Sequence, residues 1–223
     1  MFTRSSIVSV AAPKLLLRRS LLEFVLIAVA PLRRRALAET APTGATAVIK
    51  HFNEALLAAM KTGGETDFIQ RFQALAPEVD QAFDLPLVLA VSVGPGWASF
   101  SPEQQSRLLG AFRRYTVSSY LANFKSYAGQ SFTVSSDTRS LASDRVMVPS
   151  RIVPIQGSAT ELDYVMNQTP AGWKVVDVLA AGSISRVAVQ RSDFRHILSN
   201  GGGDALLASF QRKTADLSGG MLA

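Results

Sequence analysis

The order of hydrophobic and polar positions divides the chain into a helical part followed by a part with strand spacing. Between positions 46 and 60 an apolar residue recurs every fourth position, which predicts a helix with one apolar stripe. A second helical spacing runs from Thr66 to Phe83. Pro77 lies inside it, and we expect this proline to kink or split the helix because it cannot donate a backbone hydrogen bond.

A third helix is predicted from its start signal. Ser101, Pro102 and Gln104 combine a capping hydroxyl, a proline at the first helical position and a capping-box glutamine. The apolar spacing that follows should carry this helix to about Phe124.

After Gly129 the hydrophobic spacing changes from near 3.6 to 2, which is the spacing of strands. Residues 169–172, Thr-Pro-Ala-Gly, predict a hairpin turn, so at least the last two strands should be antiparallel. Two short helical patterns close the chain on either side of residues 201–203. The alternating strand positions form four groups: Phe132 and Val134; Val146, Val148 and Ile152; Leu162, Tyr164 and Met166; Trp173 and Val175.

This order of elements predicts an α+β fold. We expect an antiparallel sheet of about four strands with helices packed on one face, most helices being N-terminal and two closing the chain at its C-terminus. No repeat or linker divides residues 39–217, which should form one domain, and residues 218–223 should be a flexible tail.

Charge is distributed unevenly along the 223 residues. Residues 1–38 hold seven of the 23 Lys and Arg and one of the 17 acids, so the remainder carries 16 of each sign. A neutral remainder has no electrostatic footprint for nucleic acid. The chain has no cysteine, which excludes zinc-finger and disulfide scaffolds.

The first 38 residues have the order of features of a signal peptide. Basic residues come first, an apolar run from Leu21 to Leu32 follows, and Ala36-Leu37-Ala38 offers a small-x-small cleavage site. The run is shorter than the roughly 20 residues that span a bilayer. We therefore expect export to the periplasm, with an uncleaved, membrane-anchored N-terminus as the alternative.

The search for chemistry gives few candidates. His51 and His196 are the two histidines and have no partner at metal-ligand spacing, so no metal site is predicted, and no phosphate loop or nucleophile elbow indicates a cofactor or hydrolase. Asp163 and Asp177 could act as general bases in a closed pocket. The structural alternative is that Asp177 accepts backbone hydrogen bonds near a strand end and that Asp163 alternates outward.

Several strings in the second half of the chain resemble the periplasmic phospholipid-shuttle family, also called toluene-tolerance proteins. The segment 183–217 is similar to the hopanoid-biosynthesis-associated branch of that family. The strings that carry the resemblance are Tyr127-Ala128-Gly129-Gln130, residues 172–178 (GWKVVDV), residues 182–185 (GSIS) and residues 191–194 (RSDF), with residues 83–86 (FDLP) and 101–104 (SPEQ) upstream.

The resemblance implies a monomeric soluble carrier without a cofactor, which holds phospholipid or hopanoid tails between sheet and helices. It also implies exchange with membrane-bound lipid transport complexes. The alternation predicts the lining of that cavity as Phe132, Val134, Val146, Val148, Ile152, Leu162, Tyr164, Trp173 and Val175. Three alternatives stay open: a face packed solid against the helices, a pocket enzyme of nuclear-transport-factor-like shape using Asp163 or Asp177, and an anchored interaction protein without ligand.

Overall fold

The structure is a computed structural model that describes residues 41–63 and 67–222, with side chains from position 44 onward. The expected signal peptide at residues 1–38 lies outside this part of the chain. The helices are α1 (Ala41–Lys61), α2 (Phe68–Ala82), α3 (Leu85–Val93), α4 (Pro102–Asn123) and α5 (Arg186–Ser218), with a short 3-10 helix at Pro95–Ser99.

Seven strands form an antiparallel sheet in the second half of the domain, so the α+β prediction is confirmed and the number of strands is corrected from about four. Strands β2 and β7 were missed because β2 is exposed at all four positions and β7 has only two residues. The strands are β1 (Ser131–Val134), β2 (Arg139–Ala142), β3 (Arg145–Val148), β4 (Ser150–Val153), β5 (Thr160–Thr169), β6 (Gly172–Ala180) and β7 (Ile184–Ser185).

Pro149 separates β3 from β4, which the sequence pattern had joined into one strand. Both strands pair with the same edge of β5, and the register does not shift between them, because Val148 lies opposite Tyr164 and Arg151 opposite Glu161. Proline has no N–H to donate to the ladder. Pro149 therefore interrupts the pairing with β5 only locally, and β3 and β4 follow β5 in one register.

On the other edge of β5, β6 forms a hairpin through residues 169–172, as predicted, and β7 pairs with β6. Strand β1 pairs with β4, and β2 pairs with β3. Helices contact the face of the sheet that carries Val148, Tyr164 and Val175, and these three side chains are buried in one apolar core with the helices. One face of the sheet is therefore covered by helices, as expected.

The capping box predicted for α4 is present. The Ser101 hydroxyl accepts a hydrogen bond from the Gln104 N–H, and the Gln104 side chain accepts one from the Ser101 N–H. The helix ends at Asn123, one residue before the predicted end. These reciprocal bonds satisfy two backbone donors that a helix start otherwise leaves free.

Pro77 does not split its helix, so that part of the expectation was wrong. Helix α2 continues from Phe68 to Ala82, and Pro77 lies on its exposed side. The carbonyl of Gln73, four residues earlier, loses its helical donor. Because Gln73 is also exposed, water can hydrogen-bond to that carbonyl and the helix tolerates the proline.

The closing region consists of two helical segments, as predicted. Helical geometry in α5 is interrupted at Gly201 and Gly202, and Gly202 has a φ of 62° and a ψ of −153°. That backbone conformation is essentially restricted to glycine. The interruption lets the chain change direction within the helix. The rings of Phe194 before it and Phe210 after it pack together with their centroids 5.2 Å apart.

Candidate functional site: an apolar cavity between sheet and helices

A cavity of about 380 Å³ lies between the helix-covered face of the sheet and helices α3, α4 and α5. Its volume falls within the roughly 300–1,000 Å³ range of small-molecule sites. The sheet wall consists of Ile152, Leu162, Tyr164, Val178 and Ala180. Facing it from α4 are Phe112, Tyr115, Thr116, Ser119, Tyr120 and Asn123, with Phe124 at the helix end, and the remaining wall comprises Phe83, Leu85, Val88, Asp177, Arg186, Val187 and Gln190.

A register shift between β5 and β6 positions part of the sheet wall. Met166 lies opposite Val175, but Val165 lies opposite Asp177, so Val176 is an extra residue on β6. The bulge reverses the alternation along β6. As a result Val178 lies opposite Tyr164, and Ala180 lies opposite Leu162. Both residues therefore lie on the same face of the sheet as Val175, which precedes the bulge.

The nine predicted lining residues occupy four settings. Ile152, Leu162 and Tyr164 line the apolar cavity. Phe132 packs on Phe124 with ring centroids 5.9 Å apart, and Val134 lines a separate polar cavity. The remaining four are buried in the packed core outside the cavity wall: Val146, Val148, Trp173 and Val175.

Sequence reasoning missed the polar part of the wall that α4 contributes. Thr116, Ser119, Tyr120 and Asn123 follow the i, i+3, i+4, i+7 spacing of one helix face, so their side chains point the same way. Polar residues at such positions are ordinarily read as solvent-facing. The spacing was visible in the sequence, but the sequence did not show that this face of α4 lines a cavity.

Three tyrosines line the cavity, and burial raises the pKa of two of them, Tyr120 and Tyr164. Tyr164 is fully buried, and burial raises its pKa. The pKa of Tyr120 is raised well above its usual value by burial and then by the proximity of Tyr164, while the positive charge of Arg186 acts in the opposite direction. Both phenols are neutral at physiological pH and can donate hydrogen bonds.

Asp177 has a structural role at the start of α5. Its Oδ1 accepts hydrogen bonds from the N–H groups of Val178 at 2.8 Å and Val187 at 3.1 Å, and its Oδ2 accepts one from the Ser185 hydroxyl. The predicted acceptance of backbone hydrogen bonds is confirmed. Both carboxylate oxygens of Asp177 are therefore engaged in hydrogen bonds within the protein.

Asp163 lies on the other face of β5, since it alternates with the cavity residues Leu162 and Tyr164. It lines a polar cavity of about 470 Å³ together with Arg139, Ser150 and others. Burial raises the pKa of Asp163, and the charge of Glu161 adds to the effect. The structure therefore does not bring Asp163 and Asp177 together in one site.

Metal-ligating and membrane-spanning features are absent from residues 41–63 and 67–222. No group of three or more His, Asp or Glu side chains in this part of the chain could hold a metal ion. None of its helices combines the length and the apolar character needed to cross a bilayer. The Nε2 atom of His51 lies 2.7 Å from a carboxylate oxygen of Glu78.

The comparisons with known proteins identify the family. A family model described as MlaC protein matches residues 50–212. The chain belongs to the MlaC family. The predicted membership of the periplasmic phospholipid-shuttle family is thereby confirmed, whereas its hopanoid-associated branch stays a prediction.

The fold of this MlaC family member also occurs in a solved structure. The phospholipid-binding protein from Ralstonia solanacearum, in complex with a phospholipid, has 23% sequence identity to this chain and a TM-score of 0.68. The match covers 78% of this chain and 98% of the other. A search among curated proteins gave no match.

Proposed function

We propose that this MlaC family protein is a periplasmic carrier that takes lipid tails into the apolar cavity and moves the lipid between membranes. The observation that carries the proposal is the cavity itself, with a wall of branched and aromatic side chains such as Leu162, Val178 and Phe112. The phospholipid held by the Ralstonia solanacearum protein of the same fold supports it.

Physical chemistry explains why such a cavity is needed. Removing one methylene from water contributes about 0.8 kcal/mol, so two acyl chains with roughly 30 methylenes would cost on the order of 20 kcal/mol to expose. A lipid therefore does not cross an aqueous compartment unshielded. Apolar walls provide the shield, and the carrier needs no catalytic group.

The cellular setting is part of the proposal. The signal-peptide pattern of residues 1–38 supports export, and membership of the MlaC family supports the periplasm. The partners would be membrane-bound lipid transport complexes that load and unload a monomeric carrier. Phospholipid is the first candidate cargo, and hopanoid is the second because of the similarity of segment 183–217.

Two neighbouring positions on β6 give a matched test. Ala180 lines the cavity, whereas Leu179 lies opposite Asp163 on the other side of the strand. Ala180→Trp should fill the cavity and exclude lipid, and Leu179→Trp should introduce the same side chain without reaching the cavity. Val148 is a poorer position because it is completely buried in the core, where a larger side chain strains the packing.

The measurement is mass spectrometry of organic extracts from the proteins purified from a bacterial periplasm without detergent. We expect stoichiometric lipid with the wild type and Leu179→Trp, and little with Ala180→Trp. The lipid species will separate phospholipid from hopanoid as cargo. Lipid-free extracts from the wild type, repeated after exposure to vesicles of both lipid classes, would refute the carrier proposal.

A further inference from the structure

The polar cavity of about 470 Å³ is built on the opposite face of β5 from the apolar cavity. Its floor is a row of side chains across three strands, because Thr133 on β1 pairs with Arg151 on β4 and Arg151 pairs with Glu161 on β5. Asp163 lies two residues beyond Glu161, on the same face of β5. The volume is that of a small-molecule site, and the proposed carrier function leaves this cavity unused.

The loop between β1 and β2 forms a wall of the polar cavity. The Ser135 N–H donates to the Pro149 carbonyl at 2.9 Å, which attaches the start of the loop to the junction of β3 and β4. The Asp137 N–H donates to the Ser135 hydroxyl at 3.0 Å. These two hydrogen bonds hold the loop at the edge of the cavity and place Asp137 and Arg139 in its wall.

Asp163 is a buried carboxylate at this cavity. It is only 9% exposed, and within residues 41–63 and 67–222 it forms no ion pair at 4 Å or less. Burial raises its pKa and the charge of Glu161 adds to the effect, while the charge of Arg139 and the Ser150 N–H act in the opposite direction. A buried negative charge without an ionic partner is unfavourable, and a cation from outside the protein would compensate it.

Arg139 brings a guanidinium to the same cavity. The register places it on the same face of the sheet as Asp163, because Arg139 pairs with Met147 and Met147 pairs with Val165, two residues beyond Asp163. Arg139 is exposed, and no carboxylate in the described part of the chain forms an ion pair with it at 4 Å or less. Its paired N–H donors match the geometry of a carboxylate from a ligand.

The charges that line the cavity do not balance one another. Arg151 and Glu161 form an ion pair at 3.2 Å. Asp137, Asp163 and Arg139 remain, and none of the three takes part in an ion pair among the described residues. Two carboxylates and one guanidinium are complementary to a ligand with two ammonium groups and one carboxylate.

We propose that the polar cavity binds a free basic amino acid, with one ammonium group on Asp163, the other on Asp137 and the carboxylate on Arg139. The site is separate from the apolar cavity and does not depend on the carrier function. Ammonium–carboxylate and guanidinium–carboxylate pairs are charge-assisted, so three of them fix the orientation of the ligand as well as its charge.

The proposal is tested with L-lysine as the probe, in ligand-observed NMR titrations of the protein purified from a bacterial periplasm, at pH 7 and constant ionic strength. L-lysine should bind more tightly than cadaverine, which lacks the carboxylate, and more tightly than L-glutamate, which has the opposite net charge. Equal affinity for cadaverine and L-lysine would overturn the proposal, because the carboxylate would then have no partner in the site. Absence of saturable L-lysine binding to the wild type would also overturn it.

Two substitutions test the two ends of the ligand. Arg139→Gln and Asp163→Asn should each weaken L-lysine binding about tenfold, the effect of one charge-assisted hydrogen bond. Arg145→Gln and Asp144→Asn are the matched controls, because both residues are exposed near the turn between β2 and β3 and lie outside the cavity wall. Their affinity should equal that of the wild type, and an unchanged affinity in Asp163→Asn would overturn the proposal.

Mapping on the wild type keeps the test independent of how the variants fold. L-lysine should shift the backbone amide NMR signals of residues 133–139 and 161–163. It should leave the signals of α4, which lines the apolar cavity, unchanged. Shifts confined to α4 would overturn the polar site, because L-lysine would then enter the apolar cavity.

Discussion

The carboxylate of Asp177 on β6 accepts a hydrogen bond of 3.1 Å from the backbone N–H of Val187 in the first turn of α5. The same side chain accepts a hydrogen bond from the Ser185 hydroxyl, and the hydroxyl oxygen accepts one from the backbone N–H of Ala188. These bonds connect the last part of the sheet to the start of the closing helix. They also fix the segment from which Arg186 and Val187 reach the cavity.

Asp177→Ala should lower the free energy of unfolding by about 2 kcal/mol, because it leaves helix and hydroxyl donors without an acceptor. Urea unfolding measures this loss. Asp193→Ala, at an exposed position on α5, should change stability by less than about 0.5 kcal/mol. The folded Asp177→Ala protein should still carry lipid, and unchanged stability combined with loss of lipid would instead show a direct role in binding.

Arg71→Met should destabilise the fold by about 2 kcal/mol. Arg71 is only 7% exposed, and it donates through Nε to the Ala59 carbonyl at 3.2 Å and through Nη2 to the Phe124 carbonyl at 3.3 Å. Both carbonyls lie near helix ends, and methionine would fill the space but leave them without this donor. Thermal or urea unfolding would show the effect.

Arg107→Met is the control for that experiment, since Arg107 is exposed on α4 and its loss should change the free energy of unfolding little. Equal effects of the two substitutions would mean that the connection between the ends of α1 and α4 contributes nothing specific. The burial that lowers the pKa of Arg71 leaves it charged at physiological pH, so a charged donor is removed.

Asp163→Asn should stabilise the protein at pH 7. Burial raises the pKa of Asp163 in the folded state, so the folded protein binds this proton more tightly than the unfolded chain. Protonated Asp163 therefore contributes its full stabilisation below the ordinary pKa of aspartate. This stabilisation is lost as the pH rises through the pKa of Asp163 in the folded state. The advantage of asparagine should shrink as the pH falls through the same interval.

Urea unfolding of Asp163→Asn and the wild type at several pH values measures this difference. Asp137→Asn is the matched control, because Asp137 lies on the same polar cavity but is exposed. A stability difference for Asp163→Asn that does not change with pH would contradict the prediction, because it would not depend on the charge of the carboxylate.

Local sequence signals predicted the elements that depend on neighbouring residues. The capping box at Ser101 and Gln104 marked the start of α4, and the glycines at 201–203 marked the interruption of α5. The strands with a clear apolar alternation were found, whereas the exposed β2 and the two-residue β7 were not. Pro77 shows the limit of a local rule, since α2 continues through it from Phe68 to Ala82.

The sequence by itself determined the fold class and the family, because period-2 alternation and short motifs are properties of adjacent positions. Tertiary structure alone decided where packing ends and the cavity begins. Val148 and Val175 are buried in the packed core, whereas Val178 and Ala180 line the cavity. Val178 and Ala180 lie on this face because β6 pairs with β5 through a bulge at Val176. Register and voids depend on contacts between distant segments, which no local pattern records.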